Sequence, residues 1–297
     1  MKLIDCIEQS AARLTEAGVS FGHGTMNAFD EAAWLVLWSC GLPLDSLDEH
    51  AEQDLTPAEM TKTDALLAQR IATRKPAAYL TQEAWLQGVP FYIDERAIVP
   101  RSLIAELIAD EAIDSWLSDK TRRVLDLCTG NGSLAVLAAM AWPEVQVDAI
   151  DLSADALAVA RINVDKHGLG ERIRLLQGDG LAPATAEGTR YDLILCNPPY
   201  VNADAMATLP AEYRAEPELA LAGGADGMDF VRRLLSQAAE HLTENGLLVL
   251  EIGNECEYFY AAFPQLEVAW MATSAGDYQV LIVTPAALRK EKALLAS

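Results

Sequence analysis

Val124-Leu125-Asp126-Leu127-Cys128-Thr129-Gly130-Asn131-Gly132 is the stretch on which the fold turns. Its first four residues form a short, mostly apolar run that reads as a buried strand. Gly130 and Gly132 then permit a sharp turn and a close approach of backbone to a ligand. An apolar helix follows, through Met140. Strand, glycine turn and helix open a parallel sheet of the kind that binds ligands at the carboxyl ends of its strands. The alternation continues with a strand at 145–151, a helix from Ser153 to about His167, and strands at 173–176 and 191–195. A long helix over about 226–242 leads to strands at 246–252, 267–273 and 278–284. Ala275-Gly276-Asp277 is too short for a parallel crossover, so the last strand should be antiparallel. The chain therefore reads as α/β, with a seven-stranded, mostly parallel, Rossmann-like sheet whose last strand is antiparallel.

Upstream the texture changes. Ile4, Ile7, Ala11 and Leu14 recur at helical spacing, as do Trp34, Leu35, Leu37 and Trp38, and then Met60, Leu66, Leu67 and Ile71. Thr56-Pro57 followed by Glu59 is a helix start, with threonine as cap and proline in the first turn. Gly22-His23-Gly24-Thr25 and Leu42-Pro43-Leu44 read as connections. Tyr79-Leu80-Thr81 and Phe91-Tyr92-Ile93 flank Gly88-Val89-Pro90 and predict a hairpin. The expected organisation is a helical domain over 1–75, a hairpin linker over 76–100 and a catalytic domain over 101–297.

With 51% hydrophobic and 22% charged residues, the 297-residue chain has the composition of a soluble globular protein. It has no apolar run of the roughly 18 residues that a membrane helix needs. Asp5 and Glu8 stand where a signal peptide would be basic and then apolar, so a cytoplasmic location is expected. The five cysteines are scattered without a CxxC or a histidine cluster, which speaks against both a disulfide framework and a metal site. The formal net charge is −22. Such a chain repels polyanions, so direct binding of nucleic acid is not expected, and a strongly basic protein is the complementary partner.

Three strands end in acidic residues. Asp126 begins the glycine turn through Cys128, Thr129, Gly130, Asn131 and Gly132. Asp151, followed by Leu152, ends the next strand at the place where a carboxylate accepts both hydroxyls of a ribose. Asp179, followed by Gly180, ends the third and would reach the exocyclic amine of adenine. A diphosphate cofactor would prefer a glycine-rich cradle with a nearby cation. This acidic series suits a cationic nucleoside without phosphates, S-adenosylmethionine.

The fourth strand ends in Asn197-Pro198-Pro199-Tyr200. A planar NH2 group on an sp² carbon is a poor nucleophile because its lone pair is delocalised. The Asn197 side-chain oxygen and the Pro198 carbonyl can each accept one of its hydrogens, aiming the nitrogen at a sulfonium methyl. The two prolines stiffen the loop, and Tyr200 offers a ring face to the planar group. The loop alone does not separate a protein amide from the amino group of a nucleic-acid base. The negative charge favours the amide.

These residues together resemble the protein-glutamine methyltransferases that modify translation components, and within them the branch acting on the large-subunit ribosomal protein uL3. The closer likeness lies in Gly22-His23-Gly24-Thr25, in Phe91-Tyr92-Ile93-Asp94-Glu95-Arg96, in Val99-Pro100-Arg101-Ser102, in Glu106-Leu107-Ile108 and in 212–219. The resemblance implies an N-terminal helical substrate-recognition domain, a hairpin linker and a class I methyltransferase domain. It places Cys128 to Gly132 around the methionine part of S-adenosylmethionine, Asp151 at the ribose, and Asp179 with Gly180 by the adenine. Asn197 to Tyr200, with Arg101, would bind the glutamine.

Two departures stand out: Cys128 replaces the family's first loop glycine, and 100–105 lacks the acidic end of the release-factor branch, Pro-Arg-x-x-Thr-Glu. Release-factor methylation, base methylation and a non-catalytic ribosome-assembly factor are the alternatives. Asp45, Asp48, Glu49, Glu52, Asp54 and Glu59 form an acidic stretch that reads first as a solvated face. His23 reads as a loop-packing residue, and Trp34, Trp38 and Trp116 read as core.

Overall fold

The computed structural model describes residues 1–295, so the last two residues of the expected catalytic domain lie outside it. Its first part is helical: α1 (Leu3–Glu16), α2 (Ala28–Cys40), the short α3 (Leu47–His50), α4 (Pro57–Thr73) and α5 (Ala77–Thr81). Leu3, Cys6, Ile7, Ser10 and Leu14 form the buried face of α1; Ile7 and Leu14 of the expected stripe belong to it, while Ile4 and Ala11 are half-buried at its edge. Thr56 caps α4, and Glu59 reaches back to the Thr56 amide, closing a capping box.

The hairpin is real but shifted. Tyr79–Thr81 belongs to α5, and the strands are β1 (Glu83–Leu86) and β2 (Val89–Tyr92), turning at Gln87-Gly88. Pro76 is the N-cap, and its carbonyl accepts the Tyr79 and Leu80 amides, so a helical turn forms despite the β-prone Tyr-Leu-Thr composition. Trp116 is a second departure from expectation: it is 43% exposed, in a single 3₁₀ turn.

The remainder is α6 (Ile104–Ala109), β3 (Arg123–Leu127), α7 (Ser133–Ala141), β4 (Gln146–Asp151), α8 (Ala154–Lys166), β5 (Ile173–Gln177), α9 (Ala182–Glu187) and β6 (Tyr191–Cys196). After these come α10 (Ala203–Thr208), α11 (Asp229–His241), β7 (Leu242–Glu251), α12 (Cys256–Ala262), β8 (Ala269–Thr273), β9 (Gly276–Val283) and α13 (Pro285–Leu295). The seven strands order as β5-β4-β3-β6-β7-β9-β8. Pairs among β5, β4, β3, β6 and β7 are parallel, and β9 is antiparallel to both of its neighbours. Only the last strand runs against the rest, as expected.

Three apolar clusters follow from this layering. Two lie on the faces of the large sheet; the third joins α1, α2, α4, α5 and the hairpin to Ala156 and Val159 of α8. Asn163 of α8, fully buried, exchanges two hydrogen bonds with the Tyr92 backbone and donates a third to the Asn131 carbonyl at 2.8 Å. The hairpin is thereby pinned to the glycine turn. Among the described residues, no helix is long and apolar enough to cross a membrane.

Candidate active site

β3, β4, β5 and β6 end along one edge of the sheet, and a cavity of about 670 Å³ opens there. A volume of this size accommodates a nucleoside-sized ligand. The sequence-predicted residues that line it are Arg101, Cys128, Thr129, Gly130, Asn131, Asp151, Leu152, Asp179, Gly180, Asn197 and Pro199. Asp126, Gly132, Pro198 and Tyr200 do not line it.

Asp126 lies beneath the loop, 1% exposed. Its Oδ2 accepts the Thr129 hydroxyl at 2.5 Å and the Ala135 amide at 2.9 Å, while Oδ1 has no partner among the described residues. Burial pushes its carboxyl up to about 7 against these two donors. It therefore ties the end of β3 to the first turn of α7. Gly132 stands just before α7 at φ 80°, where a Cβ would lie 3.1 Å from Ala160 Cβ. This glycine lets α7 and α8 approach one another. Cys128 holds a left-handed φ of 62° without being glycine, which is a strained position for an L residue.

Asp151 ends β4 with its carboxylate pinned on both sides. The Gly130 amide donates to Oδ2 at 2.9 Å and the Ser153 amide to Oδ1 at 2.8 Å. Burial raises its pKa, and these backbone donors oppose the rise. Each oxygen retains acceptor capacity towards the cavity. Asp179 is more exposed and pairs with Arg233 of α11 at 2.8 Å, which lowers its pKa. Leu152 is 48% exposed beside the same opening and offers an apolar surface to a flat ring.

Asn197 follows the last residue of β6 and is half-buried. Neither its side chain nor the Pro198 carbonyl makes a hydrogen bond among the described residues. Asn197 lines the cavity, so its acceptor is available to a ligand; Pro198 is buried and is not part of the lining. Tyr200 turns away from the cavity, and its hydroxyl donates to Glu251 Oε1 at 3.2 Å. A Cβ on Gly253 would come within 2.4 Å of the Tyr200 ring, so glycine is required beneath it. Burial, then the Glu251 charge, pushes the phenol pKa well up and keeps it neutral.

Glu251 was not anticipated from the sequence. At the end of β7 and 3% exposed, it accepts the Ser102 hydroxyl at 2.6 Å and the Leu103 amide at 2.9 Å as well as Tyr200. One carboxylate thus fastens the Pro100-Arg101-Ser102 segment to the acceptor loop. The signal was present: β7 is apolar from Leu247 to Leu250 and ends in an acid, as β4 does.

Glu216 was also missed as a site residue. It grips Arg101 with two bonds, at 2.6 and 2.8 Å, and accepts the Val99 amide at 3.0 Å. His23 approaches it to 3.4 Å and packs its ring on Tyr213 with centroids 4.3 Å apart. Burial opposes the Glu216 charge, but Arg101 and His23 overcome it and hold the carboxyl at about 2. Four residues earlier, Glu212 meets the fully buried Arg70 at 3.3 Å, and Arg70 also bonds Glu31 at 2.8 Å. The Gly22–Thr25, Val99–Ser102 and 212–219 segments therefore converge on one buried network beside the cavity.

The cavity's three arginines are all paired already: Arg96 with Asp94, Arg101 with Glu216 and Arg233 with Asp179. None is left over for a diphosphate. The acidic strand end at Asp151, the glycine approach at Gly130 and the unpartnered Asn197 fit a cationic, phosphate-free nucleoside.

Residues 108–212 match the family model described as the methyltransferase small domain. The chain is 52% identical over 286 residues to the ribosomal protein uL3 glutamine methyltransferase of Burkholderia pseudomallei, covering 94% of this chain and 93% of that protein. It is 51% identical to the protein of that name from Bordetella pertussis, covering 95% and 94%. Against the one from Neisseria meningitidis serogroup B it is 47% identical, covering 94% and 92%.

Proposed function

The chain belongs to the ribosomal protein uL3 glutamine methyltransferases, and we propose that it transfers a methyl group from S-adenosylmethionine to the side-chain amide nitrogen of a glutamine in uL3. The observation that carries the chemistry is Asn197: an amide with no internal partner, lining the same cavity as Asp151 and Asp179.

When bound, S-adenosylmethionine supplies an electrophilic methyl group on a sulfonium. In our assignment Asp151 holds the ribose hydroxyls, Asp179 with Gly180 meets the adenine amine, and the loop from Cys128 to Asn131 surrounds the methionine part. Asn197 Oδ1 accepts one amide hydrogen of glutamine, and the Pro198 carbonyl, which is outside the cavity lining, would accept the other once the substrate is seated. That fixes the direction of the nitrogen lone pair, which is otherwise delocalised into the carbonyl. Pro199 stiffens this loop, and Tyr200 anchors its far end through Glu251. Arg101, oriented by Glu216, lines the same cavity and would contact the substrate there. Displacement is governed by positioning, and the amide proton leaves to water after transfer.

We assign residues 1–75 to substrate recognition, 76–100 to linkage and 101–297 to catalysis, and we place the reaction in the cytoplasm. The test is to incubate the protein with labelled methyl donor and extract from a strain lacking the enzyme, then identify the labelled band and residue. Label on a glutamine of uL3 is expected. Label in nucleic acid or in a release factor would overturn the assignment.

A further inference from the structure

On the α2 side of the molecule, away from the cofactor cavity, lies a groove of about 330 Å³ that no step above uses. Phe29, Trp34, Leu44, Leu47 and Trp85 line it, drawn from α2, α3, the loop before α3 and β1. Phe29 is 39% and Trp85 44% exposed, and nearby Met26 is 83% exposed. Large apolar side chains grouped in this way on a surface mark a contact site.

Trp34 is the buried part of the lining. It is 7% exposed, and its indole nitrogen is enclosed by the protein, so the residue presents carbon and no polar atom to the groove. The charge around it is of one sign. Asp30 lines the groove, and Asp45 and Asp48, neighbours of Leu44 and Leu47, are exposed. No lysine or arginine is among the described lining residues.

The groove is also joined to the reaction site. Gly24 lines it, with a Cβ position 3.3 Å from the Trp34 ring, while the preceding residue, His23, packs on Tyr213 and Glu216 beside Arg101. One four-residue loop thus has the groove on one side and the cavity wall on the other.

We infer that this groove is a docking site for the substrate protein at a distance from the modified glutamine, taking a lysine- or arginine-bearing segment through an apolar side chain set between Phe29 and Trp85. The inference rests on the methylation reading above and names where its substrate is held. Tethering a substrate at a second point raises the effective concentration of its glutamine at Asn197 without altering the cofactor half of the site.

The test uses the full chain and purified uL3 as probe. Exposed positions are changed in one variant, Phe29→Ala with Trp85→Ala, and charges in another, Asp30→Asn with Asp45→Asn and Asp48→Asn. Each should weaken binding of the ribosomal protein about 10-fold. Turnover at saturating substrate and S-adenosylmethionine affinity by calorimetry should stay within about twofold. The charge variant should also lose part of the salt dependence of binding. Unchanged binding in both variants, or cofactor affinity falling in parallel, would overturn the groove. If the unaltered protein places no methyl group on uL3, the underlying reading fails, and that result is separable because it appears before any substitution is made.

Discussion

The two halves of the cavity are built in different ways. The cofactor half comes from consecutive strand–loop–helix units, where Asp126 and Asp151 are held by backbone amides of the neighbouring loops and helix starts, while Asp179 pairs with Arg233. The acceptor half is assembled from segments more than one hundred residues apart, joined through buried side-chain charges: Arg101 with Glu216, and Ser102 with Glu251. The first is a property of the sheet edge. The second exists only when the N-terminal segments, the linker and the 212–219 strap are packed together.

The sharpest way to separate the halves is Asn197→Ala. We expect turnover to fall about 10³-fold while S-adenosylmethionine affinity, read by calorimetry, stays within about threefold. Near-normal turnover would break the proposed mechanism. Glu216→Ala leaves Arg101 without its partner beside the cavity and should destabilise the fold by about 3–5 kcal/mol in a denaturant titration. Glu216→Gln keeps the shape, so it should raise the KM for the protein substrate more than it lowers kcat. Asp151→Ala should do the converse, weakening S-adenosylmethionine about 10- to 100-fold with little change in turnover at saturation. If Asp151 and Glu216 variants affected the same constant, the distinction between the halves would not hold.

The smallest expected effect is a difference in acid response. Asp126 has a folded-state pKa of about 7, above its unfolded value. Its protonated form is therefore favoured in the fold, and stability is lost as pH rises from about 4 to about 7. Glu216 is held at about 2, below its unfolded value, so its contribution is lost as pH falls from about 4 towards about 2. Thermal melts across pH should show Asp126→Asn flattening the first window only and Glu216→Gln the second only.

The contrast also explains what could be read from the residues alone. Asp151, Asp179 and Asn197 each end a strand, and a strand end on a parallel sheet has a fixed place in space. The antiparallel β9 followed from a three-residue connection. Glu216 and His23 lie in irregular segments where no period specifies direction, so their meeting depends on tertiary packing. Tyr79–Thr81 has strand-like composition, yet Pro76 begins a helical turn there. Asp126 was placed correctly on its strand, but a strand-end position does not distinguish a carboxylate facing a ligand from one turned under the loop. Glu251 could have been found by the same strand-end rule that found Asp151.

The position of β9 has a consequence for the order of assembly. It follows β8 in the chain but stands between β7 and β8 in the sheet. Until 276–283 is synthesised, Ala269–Thr273 has no strand to pair with, and β7 presents an unsatisfied apolar edge from Leu247 to Leu250. A nascent or truncated chain stopping before Gly276 therefore exposes a template for misassociation. The buried Glu251 that steadies the acceptor loop sits on that same strand, paired with Val280, so sheet closure and completion of the catalytic wall are one late event.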